Sequence, residues 1–281
     1  MSTHQSTYQG PRYQRQRIDV LNHGHVTLID HMGDDSRIVQ AARVSYGDGT
    51  KSVREDKGLI DYLMRHRHTS PFEQVIFTFH LKMPIFVARQ FLRHRTASLN
   101  EISGRYSVMR DEFYLPDSDN LRYQAKDNKQ GRSDELLPET LREDILKALD
   151  TGQVQAYQAY EALLEQGLAR ELARIELPLS LYTEMYWQMD LHNLFHFLSL
   201  RLDSHAQYEI RVYAEAIASL IQPIVPFAYE AFEEHILYGK RFSKAELEIL
   251  LKAIDQEKLQ EALSASPLRA SRRQEFLDKL S

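Results

Sequence analysis

The chain has 281 residues, of which 35 are lysine or arginine, 40 are aspartate or glutamate, 12 are histidine and none is cysteine. The missing cysteine excludes disulfide scaffolds, thiolate metal sites, iron–sulfur clusters and cysteine nucleophiles. The net charge of −5 argues against nucleic-acid binding, because neutralising a phosphate backbone needs a basic excess. No apolar run approaches the roughly 20 residues of a membrane helix, so we expect a cytoplasmic protein without a membrane partner.

Short strands and helices are predicted for the N-terminal part of the chain. A polar arm (1–17) precedes a weak strand over 18–30, which is broken by a turn at Asn22–His25. Helices are predicted from Asp35 to about Gly47 and over 56–67. The clearest strand is 75–83, and Pro84 after it suits the first turn of a helix that leads into Arg93-His94-Arg95. Alternate apolar residues define one face of this strand: Val75, Phe77, Phe79, Leu81 and Met83.

The C-terminal part is predicted to be mainly helical. Residues 106–134 are polar and predict a long loop, and 138–166 predict an amphipathic helix that Gly152 could interrupt. Leu172 to Leu177 predict a short strand, followed by three helices over 183–203, 204–221 and 224–237. No repeat or linker divides the chain. We therefore expect one domain over 1–281 with a peripheral, charged helical extension at about 240–281.

Basic charge concentrates in residues 82–110, where six basic residues accompany a single acidic residue, Glu101. Guanidinium groups match phosphate oxygens well, so this cluster suits a phosphorylated ligand; a solvated basic face is the alternative. Backbone amides around Ser103 and Gly104 can approach an anion closely, because glycine has no Cβ. A helix-capping box at Ser98-x-x-Glu101 is the other interpretation of this segment.

Arg93-His94-Arg95, followed after seven residues by Ser103, resembles the signature of the flavin-dependent thymidylate synthases. The triplet alone is not specific, because Arg65-His66-Arg67 repeats it but has Val75 where the serine would stand. Four other segments are similar to blocks of the same family and occur in the same order: Ala42–Ser45, His68–Glu73, Arg174–Leu179 and Leu200–Gln207.

The resemblance implies a mixed α+β or α/β fold. It implies a single domain with a central, mostly antiparallel sheet flanked by long helices, assembled as a homotetramer with active sites between subunits. The implied reaction makes dTMP from dUMP, with methylenetetrahydrofolate as carbon donor and NADPH as the reductant of a bound FAD. The missing cysteine fits this family, because the other thymidylate synthases attack dUMP with a cysteine thiolate.

The resemblance also assigns the dUMP-binding residues, with Arg174 contributed by a neighbouring subunit: Gln90, Arg93, Glu101, Ser103, Gly104, Arg105, Arg174 and Arg201. Arg201 is expected to stabilise the anion that forms as the uracil ring loses its N3 proton. Pairing of Arg201 with Asp203 or Glu209 on a helix surface is the alternative. Ser103 is expected to position the phosphate, because no local histidine and carboxylate would activate it as a nucleophile.

A second set of residues is assigned to FAD: Ser45, Ser70, Glu73, Arg93, His94, Arg95, Glu101, Asp190, His192, His196 and His205. Some family members carry Asn and Arg at the positions of Asp190 and His192, so different hydrogen bonds are expected at the adenosine end. His68 is expected near the flavin and the folate, with Tyr106 as a neighbour. The resemblance implies no metal.

Two other functions compete on the residues alone. His192 and His196 share one face of a predicted helix that Asp203 extends, as in a metal-dependent nucleotide phosphohydrolase. Against this, no glutamate lies between the two histidines to act as the base of a zincin helix. A helical oligomerisation module without catalysis fits the long helices but leaves the segment from Arg93 to Tyr106 unexplained.

Overall fold

The computed structural model describes residues 16–44, 53–126 and 131–280. Ser45, the polar arm up to residue 15 and the predicted end of the first helix near Gly47 lie outside the described residues. The described chain packs into two compact units, one up to Leu237 and one from Tyr238 onward. The domain boundaries given above stay a prediction.

Strands form the centre of the first unit. In chain order they are β1 (Arg17–Val20), β2 (Gly24–Met32), β3 (Ile76–Pro84), β4 (Ser98–Glu101), β5 (Arg122–Gln124), β6 (Arg132–Leu136) and β7 (Tyr182–Asp190). Five of them form one sheet in the order β1-β2-β3-β7-β4, and every neighbouring pair is antiparallel. The predicted central antiparallel sheet is therefore confirmed. The remaining two strands, β5 and β6, form a separate hairpin.

Helices flank this sheet in the first unit: α1 (Asp35–Arg43), α2 (Val53–Arg65), α3 (Ile85–Phe91), α4 (Glu139–Glu165), α5 (Arg170–Ala173), α6 (Leu191–Arg201), α7 (Tyr208–Ile221) and α8 (Pro226–Phe232). The second unit contains α9 (Lys244–Ala253), α10 (Gln256–Ala265) and α11 (Ala270–Asp278). None of the helices in the described ranges is long and apolar enough to cross a membrane.

The apolar side of the sheet is the core, and β3 shows why. The alternate side chains predicted to share one face, from Val75 to Met83, are fully buried, whereas Thr78 and His80 on the other face are partly exposed. A period of two puts every second residue on the same side of a strand. The apolar face packs against α3, α6 and α7, which supply half of the remaining buried side chains of this core.

The helix predicted over 183–203 is wrong in its first half. Tyr182–Asp190 forms β7, paired along its whole length with β3, and α6 begins only at Leu191. Met185 and Trp187 are buried while Tyr186 between them is exposed, which is the alternation of a strand. Methionine, glutamate and glutamine favour helices locally, and the neighbouring strand overrides that preference.

Other predicted elements differ more locally. The strand predicted from Leu172 to Leu177 is wrong, because these residues form the end of α5 and the 3-10 turn Arg174–Glu176. The long loop over 106–134 contains the first strand and part of the second strand of the β5–β6 hairpin. Gly152 does not interrupt α4. The helix predicted from residue 204 begins at Tyr208, and the last predicted helix is α8 followed by a π-helical turn to Leu237.

Gly24 and Gly152 give a paired test of the packing. A Cβ at Gly24 would overlap the hydroxyl of Tyr213 and lie 2.6 Å from the carbonyl oxygen of Val20, whereas a Cβ at Gly152 would meet nothing within 4 Å. The Tyr213 hydroxyl donates a hydrogen bond to the Lys82 carbonyl at 2.7 Å, which the new methyl would break. We expect Gly24→Ala to lower the free energy of unfolding by roughly 2–4 kcal/mol.

The same substitution at Gly152 should raise the free energy of unfolding by about 0.5–1 kcal/mol, because alanine loses less conformational entropy inside a helix. Urea titration of both variants measures the two effects. Equal stability of the two variants would contradict the close approach at Gly24.

Candidate active site

The helices α3 and α6 carry much of the predicted site. α3 follows β3 directly, and α6 follows β7 with Asp190 as its N-cap, which accepts a hydrogen bond from the backbone N–H of Asn193 at 2.9 Å. The two helices meet over Trp187, whose ring centroid lies 5.4 Å from that of Phe91 and 5.2 Å from that of Phe197. This packing brings the C-terminal ends of the two helices together.

His94 and Arg201 pair at that junction. Arg201 Nε donates a hydrogen bond to His94 Nε2 at 3.2 Å, and the His94 ring packs edge-on against Phe197 with 4.8 Å between centroids. A nitrogen that accepts from a guanidinium carries no proton, so the His94 ring is neutral with its proton on Nδ1. Burial and the Arg201 charge lower the pKa of His94 to about 4, and burial also lowers the pKa of Arg201.

The segment after β4 forms a tight turn, residues 102–107, which we call the Ser103 loop. The backbone N–H groups of Tyr106 and Ser107 donate to the Ser103 carbonyl oxygen at 3.1 and 3.2 Å. The N–H of Arg105 donates to Ser103 Oγ at 3.3 Å. The Ser103 hydroxyl therefore orders its own loop.

Strand β7 anchors this loop to the sheet. The backbone N–H of Ile102 donates to the carbonyl oxygen of Glu184 at 2.9 Å. Just before the loop, Glu101 Oε1 accepts a hydrogen bond from Thr183 Oγ1 at 2.6 Å. Sequence analysis missed Thr183, because it assigned that residue to a helix; the alternation of buried residues along 183–189 was the available signal.

Gly104 is buried, and Arg174 packs against it. A Cβ at Gly104 would lie 3.0 Å from both Arg174 Cδ and Met109 Sδ, so glycine is what allows this approach. The structure thus places Arg174 beside Gly104 of its own chain, and its contribution to the site of a neighbouring subunit stays a prediction. A second contact joins the same two segments, since Arg105 Nε pairs with Glu171 Oε2 at 3.2 Å.

Three arginines of the predicted site have no acidic partner within the described ranges. Arg93, Arg95 and Arg174 are exposed, and none forms an ion pair with another residue in the described part of the chain. A guanidinium group without a partner is available to phosphate oxygens, which it binds through two parallel N–H groups. Each of the three guanidinium groups is therefore accessible to an anionic ligand.

The segment between α2 and β3 carries His68, Ser70 and Glu73, whose side chains are exposed. Its end is tied to the start of α6, because the Val75 carbonyl oxygen accepts a hydrogen bond from the backbone N–H of Leu191 at 2.8 Å. The structure therefore brings these residues to the same end of the sheet as Asp190. Their contacts with a flavin stay a prediction.

The four remaining residues assigned to FAD lie along α6 and just beyond it. Asp190 caps the helix through both carboxylate oxygens, which accept from the backbone and the side-chain amide of Asn193. His192 is partly exposed and His196 is exposed on α6. His205 follows the helix and holds Asp203 Oδ1 through Nδ1 at 2.8 Å.

The metal-dependent alternative finds no support in this arrangement. Asp203 is engaged by His205, and no three histidine, aspartate or glutamate side chains in the described ranges lie close enough to hold a metal ion. His192 and His196 therefore do not combine with Asp203 into a metal site.

The neutral state of His94 can be tested by titration. Because the pKa of about 4 in the folded chain lies below the ordinary value of 6.5, the ring should stay neutral down to about pH 5, and its contribution to stability should be lost as the pH falls from 6.5 toward 4. NMR of isotope-labelled histidine, with His94→Gln for assignment, measures this. Arg201→Ala should move the midpoint upward, and a wild-type midpoint near 6.5 would contradict the pairing.

Comparison with known proteins gives consistent matches. Residues 27–227 match the family described as thymidylate synthase complementing protein. A flavin-dependent thymidylate synthase of Thermus thermophilus is 59% identical over 263 residues, covering 94% of this chain and 95% of that protein. The enzyme of the same name from Treponema denticola is 58% identical over 231 residues, covering 82% of this chain and 87% of that protein.

A solved structure is similar as well. The UMP/dUMP methylase PolB of Streptomyces cacaoi, bound with 5-Br dUMP, superposes with a TM-score of 0.71 at 35% identity. The match covers 78% of this chain and 99% of the methylase chain.

Proposed function

Because the chain belongs to the family of flavin-dependent thymidylate synthases and methylates dUMP to dTMP, we propose that methylenetetrahydrofolate is its carbon donor and that NADPH reduces a bound FAD. The observation that carries the proposal is the half-buried Arg201, a fixed cation held against a neutral His94 at the junction of α3 and α6. The cytoplasmic location expected from the sequence belongs to the same proposal.

The residues at this junction fit a flavin dinucleotide. Arg93 and Arg95 are exposed and unpaired within the described chain, which suits the two negative phosphates of FAD. His94 has its Nε2 engaged by Arg201, so it offers only its Nδ1–H as a donor. Bound flavin would supply the hydride that ends on the pyrimidine. Glu73 and His196, which are exposed, also belong to the set that we assign to the cofactor.

The Ser103 loop suits the phosphate of dUMP. Gly104 has no side chain to block the backbone, and Arg174 lies against it with a guanidinium group that forms no ion pair among the described residues. The Ser103 hydroxyl accepts the Arg105 N–H, and no described histidine or carboxylate hydrogen-bonds to it. We therefore assign Ser103 to positioning of the substrate. Glu101, held by Thr183, is the acceptor assigned to the sugar.

Arg201 is assigned to the uracil ring. Its Nε is engaged by His94, which leaves the two terminal nitrogens of the guanidinium for a pyrimidine oxygen. Burial removes water that would screen the charge, so the cation stabilises an anionic ring more strongly than it would in water. His94 adds no competing positive charge, because its ring is neutral.

The predicted dUMP residues fall into two groups. Gly104 of the Ser103 loop and Arg174, which packs against it, form one group, whereas Arg93 and Arg201 lie at the α3–α6 junction, and no hydrogen bond between described residues joins the groups. In a site shared between subunits, each group would meet the other group of a neighbouring subunit across the interface. We propose that a homotetramer brings a loop of one subunit to the junction of another.

The cofactor proposal predicts the colour of the protein. Purified without added metal, the protein should be yellow with a flavin spectrum, and NADPH should bleach that spectrum in the absence of oxygen. Absorbance spectroscopy measures both. A colourless protein that hydrolyses nucleotides only with a divalent metal would refute the proposal.

Arg201→Ala tests the role in ring activation. We expect dTMP formation to fall by roughly 10²–10³-fold, the effect of removing one preorganised charge, while the flavin spectrum is retained. The control is Arg89→Ala, an exposed arginine on α3 outside the assigned site, which should retain full activity. Normal dTMP formation by the Arg201→Ala variant would refute the role of Arg201 in activating the uracil ring.

A further inference from the structure

A chain of hydrogen bonds holds the side chain of Gln90. Gln90 Nε2 donates to Gln207 Oε1 at 2.7 Å, and Gln207 Nε2 donates to Glu209 Oε2 at 2.9 Å. Gln90 lies on α3, Gln207 caps α7, and Glu209 lies in the first turn of α7. Glu209 is only 4% exposed. This series of hydrogen bonds therefore runs from Gln90, which is assigned to dUMP, to the buried carboxylate of Glu209.

Two residues from outside the helices donate hydrogen bonds to this carboxylate. Arg132 Nη2 donates to both oxygens of Glu209, at 2.9 and 3.1 Å, and the Tyr114 hydroxyl donates to Oε1 at 2.9 Å. Burial and the Glu209 charge raise the pKa of Tyr114, so this hydroxyl stays a donor. A buried charge is stable only with such partners, since its desolvation must be offset by paired donors.

The carboxylate fixes the direction of every bond in the chain. An ionised carboxylate can only accept hydrogen bonds, so Gln207 must turn its amide nitrogen to Glu209 and its oxygen to Gln90. Gln90 must then turn its own nitrogen to Gln207, which leaves its oxygen Oε1 for a ligand. Rotating either amide would place two donors or two acceptors face to face.

We propose that Glu209, held by Arg132 and Tyr114, is a positioning residue that fixes Gln90 Oε1, through Gln207, as an acceptor for a sugar hydroxyl of the pyrimidine nucleotide. This inference rests on the proposed function, in which Gln90 binds dUMP. It gives the β5–β6 hairpin a role, because Arg132 belongs to β6 and its Nη1 also donates to the Asn120 carbonyl oxygen at 3.0 Å.

The substitution Gln207→Met removes both hydrogen bonds of residue 207 while keeping a side chain of similar length. Residue 207 is exposed, so the methionine can be accommodated. We expect the Kd and the KM for dUMP to rise about two- to tenfold, as for loss of one neutral hydrogen bond, with kcat within about twofold of wild type. Gln90→Met should raise the same two constants, and the double variant should resemble Gln90→Met alone, because both substitutions remove one interaction.

Glu209→Gln tests the direction of the bonds. A glutamine at 209 keeps its oxygen at the position of Oε1, where Tyr114 and Arg132 donate, and places its nitrogen at the position of Oε2, where one Arg132 contact is lost and Gln207 is faced by a donor. Gln207 and Gln90 then rotate, and an amide nitrogen replaces the Gln90 oxygen at the sugar hydroxyl. We expect dUMP binding to weaken about as much as in Gln207→Met, with no further loss when the two are combined. Calorimetric titration of the purified flavoprotein with dUMP measures Kd, and thermal denaturation reports any structural effect.

The control is Gln222→Met, an exposed glutamine at the end of α7 outside the chain of hydrogen bonds, which should bind dUMP normally. Additive losses in the double variant, or a lower Tm with unchanged dUMP affinity in Gln207→Met, would overturn the positioning role while leaving Gln90 as a dUMP ligand. Normal dUMP binding by Gln90→Met would overturn both the assignment of Gln90 to dUMP and the positioning role of Glu209. The proposed function is tested separately, by dTMP formation in the wild-type protein.

Discussion

The packing of three aromatic rings, Phe91, Trp187 and Phe197, is the interaction on which the site depends. All three are fully buried, and they join α3, β7 and α6 at one point on the apolar face of the sheet. The helices start at opposite ends of the β3–β7 pair, so nothing local would bring their far ends together. Aromatic burial does this, and His94 and Arg201 meet one turn beyond the rings. Removing a buried ring of this size typically lowers stability by about 3–5 kcal/mol.

Desolvation then decides the charge of each group at the junction. His94 is neutral because a protonated ring would face the Arg201 guanidinium in a half-buried position. Arg201 keeps its charge, because a guanidinium group does not lose its proton in proteins. Arg93 and Arg95 remain exposed and unpaired within the described chain, ready for an anion. The same stretch of sequence thus provides one neutral and several cationic groups.

Some local features were predictable from the sequence, whereas parts of the fold were not. The alternation of β3 is visible in its own residues, and the turn around Ser103 needs only its serine and glycine. The strand β7 was missed, because its methionines and glutamines favour helices and only pairing with β3 makes them a strand. The 3-10 turn at Arg174 was missed for a related reason, since short apolar runs do not distinguish strands from helical turns.

The sequence by itself determined the kind of chemistry. A chain without cysteine, with six basic residues and one acidic residue between 82 and 110 and with glycine beside Ser103, has arginines and backbone amides to offer a phosphorylated ligand. Tertiary structure alone decided the partners: Arg201 meets a histidine 107 positions away, and Gln90 meets a glutamine 117 positions away. Hydrogen bonds between such distant residues follow from how helices pack on a sheet. That packing depends on the whole core, so the sequence around the bonded residues does not predict which partners they have.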